Sequence, residues 1–510
     1  MGALGENRLP LRESCMEGTR IAILQEVEYE IKNVDGPNVV WIRGSPGVGK
    51  SALAASIANR LEDQKRHVIS FRFERTQSTI TTNALWRTVA CDLARLYPSL
   101  RQHLAQVNQG HSSSDIDRLF KSLIEVPLSQ LDDAISREEL PVIVIDALDE
   151  CGGLRHDPSG RRDYEALLRT LRRWVQADHL KKFKLVITSR PEDHISRIFP
   201  ESISIHINIP SGSNVKPGDN TSHDIRVFLK SRLDLMGEGD VWIKKALDRL
   251  VPRAAGIFIW ATTVADFLEV DPRVRFVILE SKKRGDNIEG LDELYLLYLT
   301  VVEASFGRIC EEEIKGIVSV MGAMIFAKQP LSDDVLLMLP GVRIGDSDIL
   351  RLIRKGLMSV LDSGPVLHFH HRSFEDFLLS LYFRQELHKL SGVWDRELHE
   401  RQLALLCLKA MVSSELHFNM GNLDSSSTKS ADIDVKSAVS PLISYSSLFW
   451  VDHLIQTPFE EKLMEAMKFI MYEKLLFWLE VMSLTGDVFE AYLIMKRALT
   501  WKVCLYVIYL

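Results

Sequence analysis

Short apolar runs alternate with longer helical patterns in the first 210 residues of the chain. The runs are rich in Val, Ile and Phe, as buried strands are, and they lie at 39–42, 67–73, 141–146, 184–189 and 202–207. Between them, apolar residues at helical spacing predict helices over 17–32, 83–106 and 163–178, with a further helix opening at the cap cluster 112–115. Strands that alternate with helices predict an α/β domain with a five-stranded parallel sheet and helices on both faces.

The strand signal nearly stops after a polar stretch at 210–222 that contains Gly and Pro. Residues 357–371 predict two short strands around Asp362–Pro365. Residues 421–440 are rich in Ser, Asp and Lys, which is typical of a mobile insert, and 441–500 are again helical in pattern. The other predicted helices of this mostly α-helical half are 223–236, 240–251, 255–268, 290–306, 311–327, 332–339 and 373–388.

Composition narrows the class of protein. A chain of 510 residues is too long to fold around a single hydrophobic core, so several domains are expected. A net charge of −7 argues against a nucleic-acid surface. The cysteines are scattered without a CxxC pair, which favours a reducing compartment over a zinc site or a disulfide framework. With no signal core and no apolar run of ~18–20 residues, we expect a cytoplasmic protein without a membrane span.

The apolar run at 39–42 leads into a glycine-rich loop and then into a helix. Glycines at this spacing let backbone N–H groups approach an anion, and the helix start directs its dipole at phosphates. Lys50 would reach the β- and γ-phosphates, and Ser51 would ligate Mg²⁺. The alternative is a Gly/Pro turn with a chance lysine, which the strand–loop–helix setting disfavours. The predicted nucleotide-binding residues are Gly44, Ser45, Pro46, Gly47, Val48, Gly49, Lys50 and Ser51.

A second apolar strand ends in a carboxylate, Asp146. In P-loop proteins such a carboxylate holds Mg²⁺ directly or through water. Asp149 and Glu150 follow three and four positions later, and either can polarise a water for attack on the γ-phosphate. The small Ala147 leaves room for metal and phosphate. The alternative is an acidic loop after a core strand, which the upstream P-loop disfavours.

Arg190 follows the fourth predicted strand. A cation at the carboxyl end of a parallel strand faces the same crevice as the P-loop, so Arg190 is a candidate γ-phosphate sensor. A surface arginine at a turn agrees equally well with the spacing alone.

With these motifs assembled, the chain resembles the NACHT-family signal-transduction NTPases of the STAND class that are abundant in filamentous fungi, with a nephrocystin-3-like N-terminal module. The resemblance rests on the motifs at 44–51, 142–151, 185–191 and 255–261. It implies ATP or ADP with Mg²⁺ as ligands, and a sheet whose sensor strand lies between the P-loop strand and the Asp146 strand. It further implies a winged helix, and it divides the chain into 1–36, the nucleotide-binding domain 37–210, a helical domain 211–285, the winged helix 286–388 and a helical region 389–510.

Two further site assignments come from the resemblance. In the family's winged helix, a histidine two residues before a Ser-Phe pair contacts the β-phosphate of ADP, and this spacing selects His371 rather than His370. The alternative is a pair of surface histidines. The segment at 15–20 resembles the one that helps to enclose adenine, which implicates Thr19 and Arg20.

The resemblance implies a nucleotide-operated switch that self-associates in the ATP-bound state and hydrolyses ATP slowly, in innate-immunity or incompatibility-type signalling. Such proteins usually carry an effector domain before the sheet and sensor repeats after the helical region, and neither is visible in the sequence. The apolar residues 501–510 would be a helix without its packing partner or the end of a truncated gene model. The alternatives are an ordinary P-loop enzyme, such as a small-molecule kinase, and a nucleotide-binding scaffold without significant turnover.

Overall fold

The computed structural model contains two compact units, Met1–Leu297 and Tyr298–Leu510. Every structural statement below refers to the residues that the structure describes. These are 11–74, 82–101, 115–131, 135, 139–151, 158–216, 218–282, 290–307, 309–339, 342, 347–362, 364–380, 395–423 and 434–508.

The first unit contains a five-stranded parallel sheet with the strand order β2-β3-β4-β1-β5. Leu185 of β4 pairs with Val39 of β1 on one side and with Ile143 of β3 on the other. The predicted parallel sheet is therefore confirmed, and the strand before Arg190 lies between the P-loop strand and the Asp146 strand. The strands are β1 Val39–Arg43, β2 Val68–Arg72, β3 Val142–Asp146, β4 Leu185–Ser189 and β5 Ile205–Asn208.

Helices cover both faces of this sheet because alternate strand residues point to opposite sides. Ile143 and Ile145 of β3 belong to one hydrophobic core, and Val142 and Val144 belong to the other. The helices of the first unit are α1 Ile21–Lys32, α2 Lys50–Asp63, α3 Thr82–Leu96, α4 Ile116–Phe120, α5 Val126–Ser129, α6 Pro158–Gln176, α7 Asp193–Ser196, α8 Asn220–Asp234, α9 Asp240–Ala254, α10 Phe258–Leu268 and α11 Pro272–Ser281. A π-helical turn, Lys121–Glu125, joins α4 to α5.

Local signals explain where several helices begin. Asp115 caps α4 by accepting hydrogen bonds from the N–H groups of Asp117 and Arg118, as the cap cluster predicts. The helix predicted from 255 begins instead at Phe258. Ala255 and Gly256 have φ values of 45° and 82°, and this left-handed turn ends α9 and separates it from α10.

Helix α12, Leu291–Phe306, begins in the first unit and ends in the second. The described part of the second unit is mostly helical. The two strands predicted within 357–371 reduce to one antiparallel bridge between Leu361 and Phe369. Two backbone hydrogen bonds flank the bridge, from Asp362 to His368 at 3.0 Å and from His370 to Val360 at 3.1 Å. The remaining helices are α13 Glu311–Phe326, α14 Asp333–Leu336, α15 Ser347–Gly356, α16 Arg372–Leu378, α17 Arg396–Val412, α18 Val435–Ala438, α19 Pro441–Leu454, α20 Glu461–Phe469, α21 Leu475–Leu484 and α22 Val488–Ile508.

Helices α7, α11, α15, α17 and α18 were not predicted from the pattern, and α18 lies within the polar stretch at 421–440 that was predicted to be a mobile insert. Parts of other predictions lie outside the described residues. These are 102–106 of the helix predicted over 83–106, 112–114 of the cap cluster, 381–388 of the helix after the bridge, 424–433 of the insert and 509–510 of the apolar stretch. The finer domain boundaries, including those of the winged helix, stay predictions. No helix within the described part of the chain is both long and apolar enough to cross a membrane.

Candidate functional site

The P-loop joins β1 to α2 at the carboxyl edge of the sheet. Gly47 and Gly49 have φ values of 77° and 92°, which L-residues rarely adopt. Gly49 is also the N-cap of α2, so the first free N–H groups of this helix lie directly after the loop. The predicted strand–loop–helix arrangement is therefore present around residues 44–51.

Lys50 folds back over its own loop. Its Nζ donates hydrogen bonds to the carbonyl oxygens of Gly44, at 2.9 Å, and Ser45, at 3.0 Å. Burial lowers the pKa of Lys50, and the carboxylate of Asp149 is the largest opposing influence. The charges of Arg190, Asp146 and Glu150 also act on this amine. The fold thus brings the charged residues predicted for the site into one place.

Asp146 ends β3 with a fully buried carboxylate. Its Oδ1 accepts a hydrogen bond from Thr188 Oγ1 at 2.5 Å, whereas its Oδ2 has no hydrogen-bond partner among the described residues. A buried carboxylate oxygen without a donor is costly unless a cation is bound nearby. An oxygen of this kind suits Mg²⁺, and the hydroxyl of Ser51, in the first turn of α2, suits it as well.

The backbone turns sharply after Asp146. Ala147 has φ 57° and ψ 47°, a left-handed conformation that costs of order 1 kcal/mol or more for a non-glycine residue. Its N–H donates to Thr188 Oγ1 at 2.9 Å, which holds the turn against β4. The turn leads into a 3-10 helix, Leu148–Glu150, and so orients both acidic side chains of the motif.

Asp149 binds Arg190 twice. Its Oδ1 accepts the backbone N–H of Arg190 at 3.1 Å, and its Oδ2 lies 3.2 Å from Arg190 Nε. The Asp149 side chain is only 5% exposed, so solvent screens this ion pair little. Asp149 therefore anchors Arg190 at the edge of the sheet.

Arg20, which precedes α1 in the chain, contacts the P-loop. Its Nη2 donates to the carbonyl oxygen of Val48 at 2.8 Å, and its guanidinium lies 4.6 Å from the ring centre of Phe258. Asp224 on α8 is 3.9 Å away, and burial raises the pKa of this carboxyl. The Thr19 hydroxyl donates to the carbonyl oxygen of Met16 at 2.7 Å. In this structure Arg20 supports the loop, and Thr19 closes its own turn.

The start of α10 also contacts the P-loop, which the sequence reasoning missed. The N–H of Ile259 donates to the carbonyl oxygen of Gly47 at 2.9 Å. A Cβ added to Gly47 would lie 2.1 Å from Cγ2 of Ile259, so these two residues are in close contact. The Ala-Gly pair before α10 indicates a turn at this point of the sequence. It does not indicate that the helix after the turn contacts the P-loop. The contact of Thr188 with Asp146 was also not predicted. The sequence showed only a hydroxyl side chain near the end of a buried strand.

His371 lies in the second unit, where it caps α16. Its Nδ1 accepts the N–H of Ser373 at 3.1 Å and lies 2.7 Å from Ser373 Oγ. Ser373 Oγ is in turn 2.6 Å from the hydroxyl of Tyr298. The orientation of the His371 ring is thus fixed by Ser373, which Tyr298 holds in place.

Comparisons with known proteins agree with these motifs. Residues 18–190 match the family model described as Nephrocystin 3, N-terminal. Over 378 residues, or 70% of this chain, the sequence is 26% identical to the vegetative incompatibility protein HET-E-1 of Podospora anserina. The match spans only 26% of that relative's length. Residues 18–190 therefore carry a nephrocystin-3-like N-terminal module, as the resemblance predicted, and the chain is distantly similar to a fungal incompatibility protein.

Solved structures with similar chains include two archaeal proteins. One is a signal transduction ATPase with numerous domains (STAND) from Pyrococcus horikoshii that has a tetratricopeptide repeat sensor. It is 15% identical with a TM-score of 0.39, and the match covers 97% of this chain and 65% of that one. The other is Cdc6p from Pyrobaculum aerophilum, which is 12% identical with a TM-score of 0.34, over 73% of this chain and 94% of that one.

Proposed function

We propose that this chain binds ATP and ADP with Mg²⁺ at the carboxyl edge of the sheet and acts as a nucleotide-operated switch. The proposal rests on the buried carboxylate of Asp146. Its Oδ2 lacks a hydrogen-bond partner among the described residues, and its charge acts on the amine of Lys50. A cationic lysine on a glycine-rich loop and a carboxylate suited to a divalent cation are what a nucleoside di- or triphosphate with Mg²⁺ requires.

The roles of the loop residues follow from its geometry. Backbone N–H groups of the loop and of the start of α2 would bind the phosphates, and Lys50 would exchange its carbonyl partners for phosphate oxygens. Mg²⁺ held by Ser51 and Asp146 would neutralise charge on the phosphates. Arg20 holds the Val48 carbonyl and so keeps the loop in its binding conformation.

Slow ATP hydrolysis is the proposed reaction, and the structure favours Glu150 over Asp149 as the group that polarises water. Asp149 already accepts two contacts from Arg190. A carboxylate committed to an arginine is a poor base, because the ion pair stabilises its charged form. Asp149 would therefore hold Arg190 where it can meet a γ-phosphate, and Glu150 would act on the water.

The switch itself requires a ligand that binds two states of the chain differently. ADP would favour a closed state through His371, and exchange for ATP would remove that contact and permit self-association. Hydrolysis would return the chain to the ADP state. Because HET-E-1 is named as an incompatibility protein, we place the output in incompatibility- or immunity-type signalling.

The test is to identify the nucleotide that co-purifies with the full chain and to measure ATP turnover. We expect bound ADP or ATP and a slow release of phosphate. Lys50→Ala should abolish both, because it removes the phosphate-binding cation, while Lys181→Ala, at a half-exposed lysine, should change neither. Tight nucleotide binding without turnover would favour the alternative function, a nucleotide-binding scaffold, over the switch. Absence of binding would refute the proposal.

A further inference from the structure

The first turn of α12 is held by a buried ion pair. Arg253, near the end of α9, donates from Nε to Oε2 of Glu293 at 3.0 Å, and the two side chains are 7% and 8% exposed. Solvent therefore screens this pair little. The same guanidinium donates to the carbonyl oxygen of Leu279 on α11 at 3.1 Å. One arginine thus joins the first turn of α12 to two helices of the first unit.

The start of α12 also contacts α10 beside the P-loop. The indole Nε1 of Trp260 donates to the carbonyl oxygen of Glu293 at 3.3 Å, and this tryptophan is fully buried. The residue before it, Ile259, donates its N–H to the carbonyl oxygen of Gly47 at 2.9 Å. Consecutive residues of α10 therefore hold the P-loop and the first turn of α12.

The buried side chain of Ile257 provides a second connection between the same two elements. A Cβ added to Gly47 would lie 3.3 Å from Cγ2 of Ile257, so the P-loop packs closely against this side chain. A Cβ added to Gly290, the residue before α12, would lie 3.7 Å from Cδ1 of the same isoleucine. The P-loop and the beginning of α12 thus share one packing partner as well as the contacts through α10.

The other part of α12 supports the residue that we propose to contact ADP. The hydroxyl of Tyr298 lies 2.6 Å from Ser373 Oγ, and Ser373 Oγ lies 2.7 Å from Nδ1 of His371. The ring of Tyr298 also contacts that of Phe374, with 5.0 Å between the ring centres. Tyr298 follows Glu293 by five residues, which is about 7.5 Å along a helix. Helices bend little over so short a distance, so a fixed first turn also fixes Tyr298.

We propose that Glu293 is a positioning residue for His371, an inference that rests on the ADP contact proposed above. His371 can bind a β-phosphate only if α12 is held in place, because α12 supports it through Tyr298. Glu293 holds α12 beside the P-loop through Arg253 and Trp260. In the proposed switch ATP lacks the histidine contact, so this attachment favours ADP over ATP. Glu293 therefore affects which nucleotide is preferred through another residue.

The experiment introduces Glu293→Gln into the full-length parent chain and into His371→Ala, and titrates each with ADP and with ATP. We expect Glu293→Gln to weaken ADP binding about fivefold or more in the parent and less than about twofold in His371→Ala, because coupled residues give non-additive effects. ATP affinity should stay within about twofold throughout. The control is Glu280→Gln, which removes a carboxylate of α11 at 3.9 Å from Arg253 and leaves the contacts of α12 intact. It should bind both nucleotides like the parent.

A second variant keeps the test decisive if Glu293→Gln does not fold. Trp260→Phe retains an aromatic ring and removes the indole N–H that binds Glu293, so it should weaken ADP in the parent but not in His371→Ala. Unchanged ADP affinity in the parent, an equal loss in both backgrounds, or an equal loss of ADP and ATP overturns the role of Glu293 and leaves the proposed function standing. If His371→Ala itself leaves ADP affinity unchanged, the proposed ADP contact is refuted together with this inference.

Discussion

Thr188 and Asp146, on neighbouring strands, are joined by a hydrogen bond of 2.5 Å between Oγ1 and Oδ1. Both side chains are fully buried, and the same hydroxyl oxygen accepts the N–H of Ala147. A single side chain thus holds the carboxylate that we propose as a Mg²⁺ ligand and the strained turn that follows it. Because Thr188 occupies Oδ1, it leaves Oδ2 as the oxygen that would face the cation.

We predict that Thr188→Val lowers the free energy of unfolding by about 3 kcal/mol, because it leaves a buried carboxylate and a buried N–H without partners. It should also weaken binding of ATP with Mg²⁺. Thr188→Ser keeps the hydroxyl and should lose about 1 kcal/mol or less. Urea unfolding of the three chains measures both values. Equal stability of the Val and Ser variants would show that this hydrogen bond contributes nothing.

Glu150→Gln should slow ATP turnover by about a hundredfold or more and leave ATP affinity unchanged, because a group that polarises water acts in the transition state. Asp149→Asn should behave differently. It releases Arg190, so the affinity for ATP should fall while the affinity for ADP is retained. Phosphate release and nucleotide titrations distinguish the two. If Asp149→Asn abolishes turnover at full ATP affinity and Glu150→Gln is active, the two roles are reversed.

Gly47 and Gly49 form a matched pair for testing the contact between the P-loop and α10. Both have positive φ, so alanine is strained by about 1 kcal/mol at either position. A Cβ at Gly49 has no atom within 4 Å, whereas at Gly47 it would clash with Ile259. We expect Gly47→Ala to cost about 1–3 kcal/mol more than Gly49→Ala.

The double variant Gly47→Ala with Ile259→Ala checks the cause of that difference. Removing the clashing side chain should recover much of the additional cost, giving a coupling of about 1 kcal/mol or more in a double-mutant cycle. Additive effects on the unfolding free energy would mean that α10 does not constrain the loop.

His371→Ala should weaken ADP binding by about ten- to a hundredfold, because a hydrogen bond to a charged group is worth about 1.5–3 kcal/mol. ATP affinity should change little, and self-association should occur at lower protein concentration because the closed state is lost. His370→Ala is the control. Titration with ADP and light scattering measure the two effects. An effect at His370 alone would assign the ADP contact to His370 instead of His371. No effect at either residue would show that the winged helix does not take part in the switch.

Much of the site could be predicted because its signals are local. A strand, a glycine-rich loop and a helix start determine where Lys50 and Ser51 lie relative to each other, and all three are consecutive in the chain. Asp146 was predictable for the same reason, as the last residue of an apolar strand. The two faces of β3 also follow from the alternation of side chains along a strand.

The contacts that give these residues their roles were decided by the tertiary structure. Arg190 binds Asp149, Thr188 binds Asp146 and Ile259 binds Gly47, and the partners lie between 41 and 212 positions apart. Contacts at such separations depend on strand order and register, and a shift of one residue turns every side chain of a strand to the opposite face. Arg20, which the resemblance places near adenine, also donates to the Val48 carbonyl, 28 positions away, and the local pattern does not predict this contact. The local pattern of polar and apolar residues therefore determined the elements and their chemistry, and only the packing of distant segments decided which groups meet.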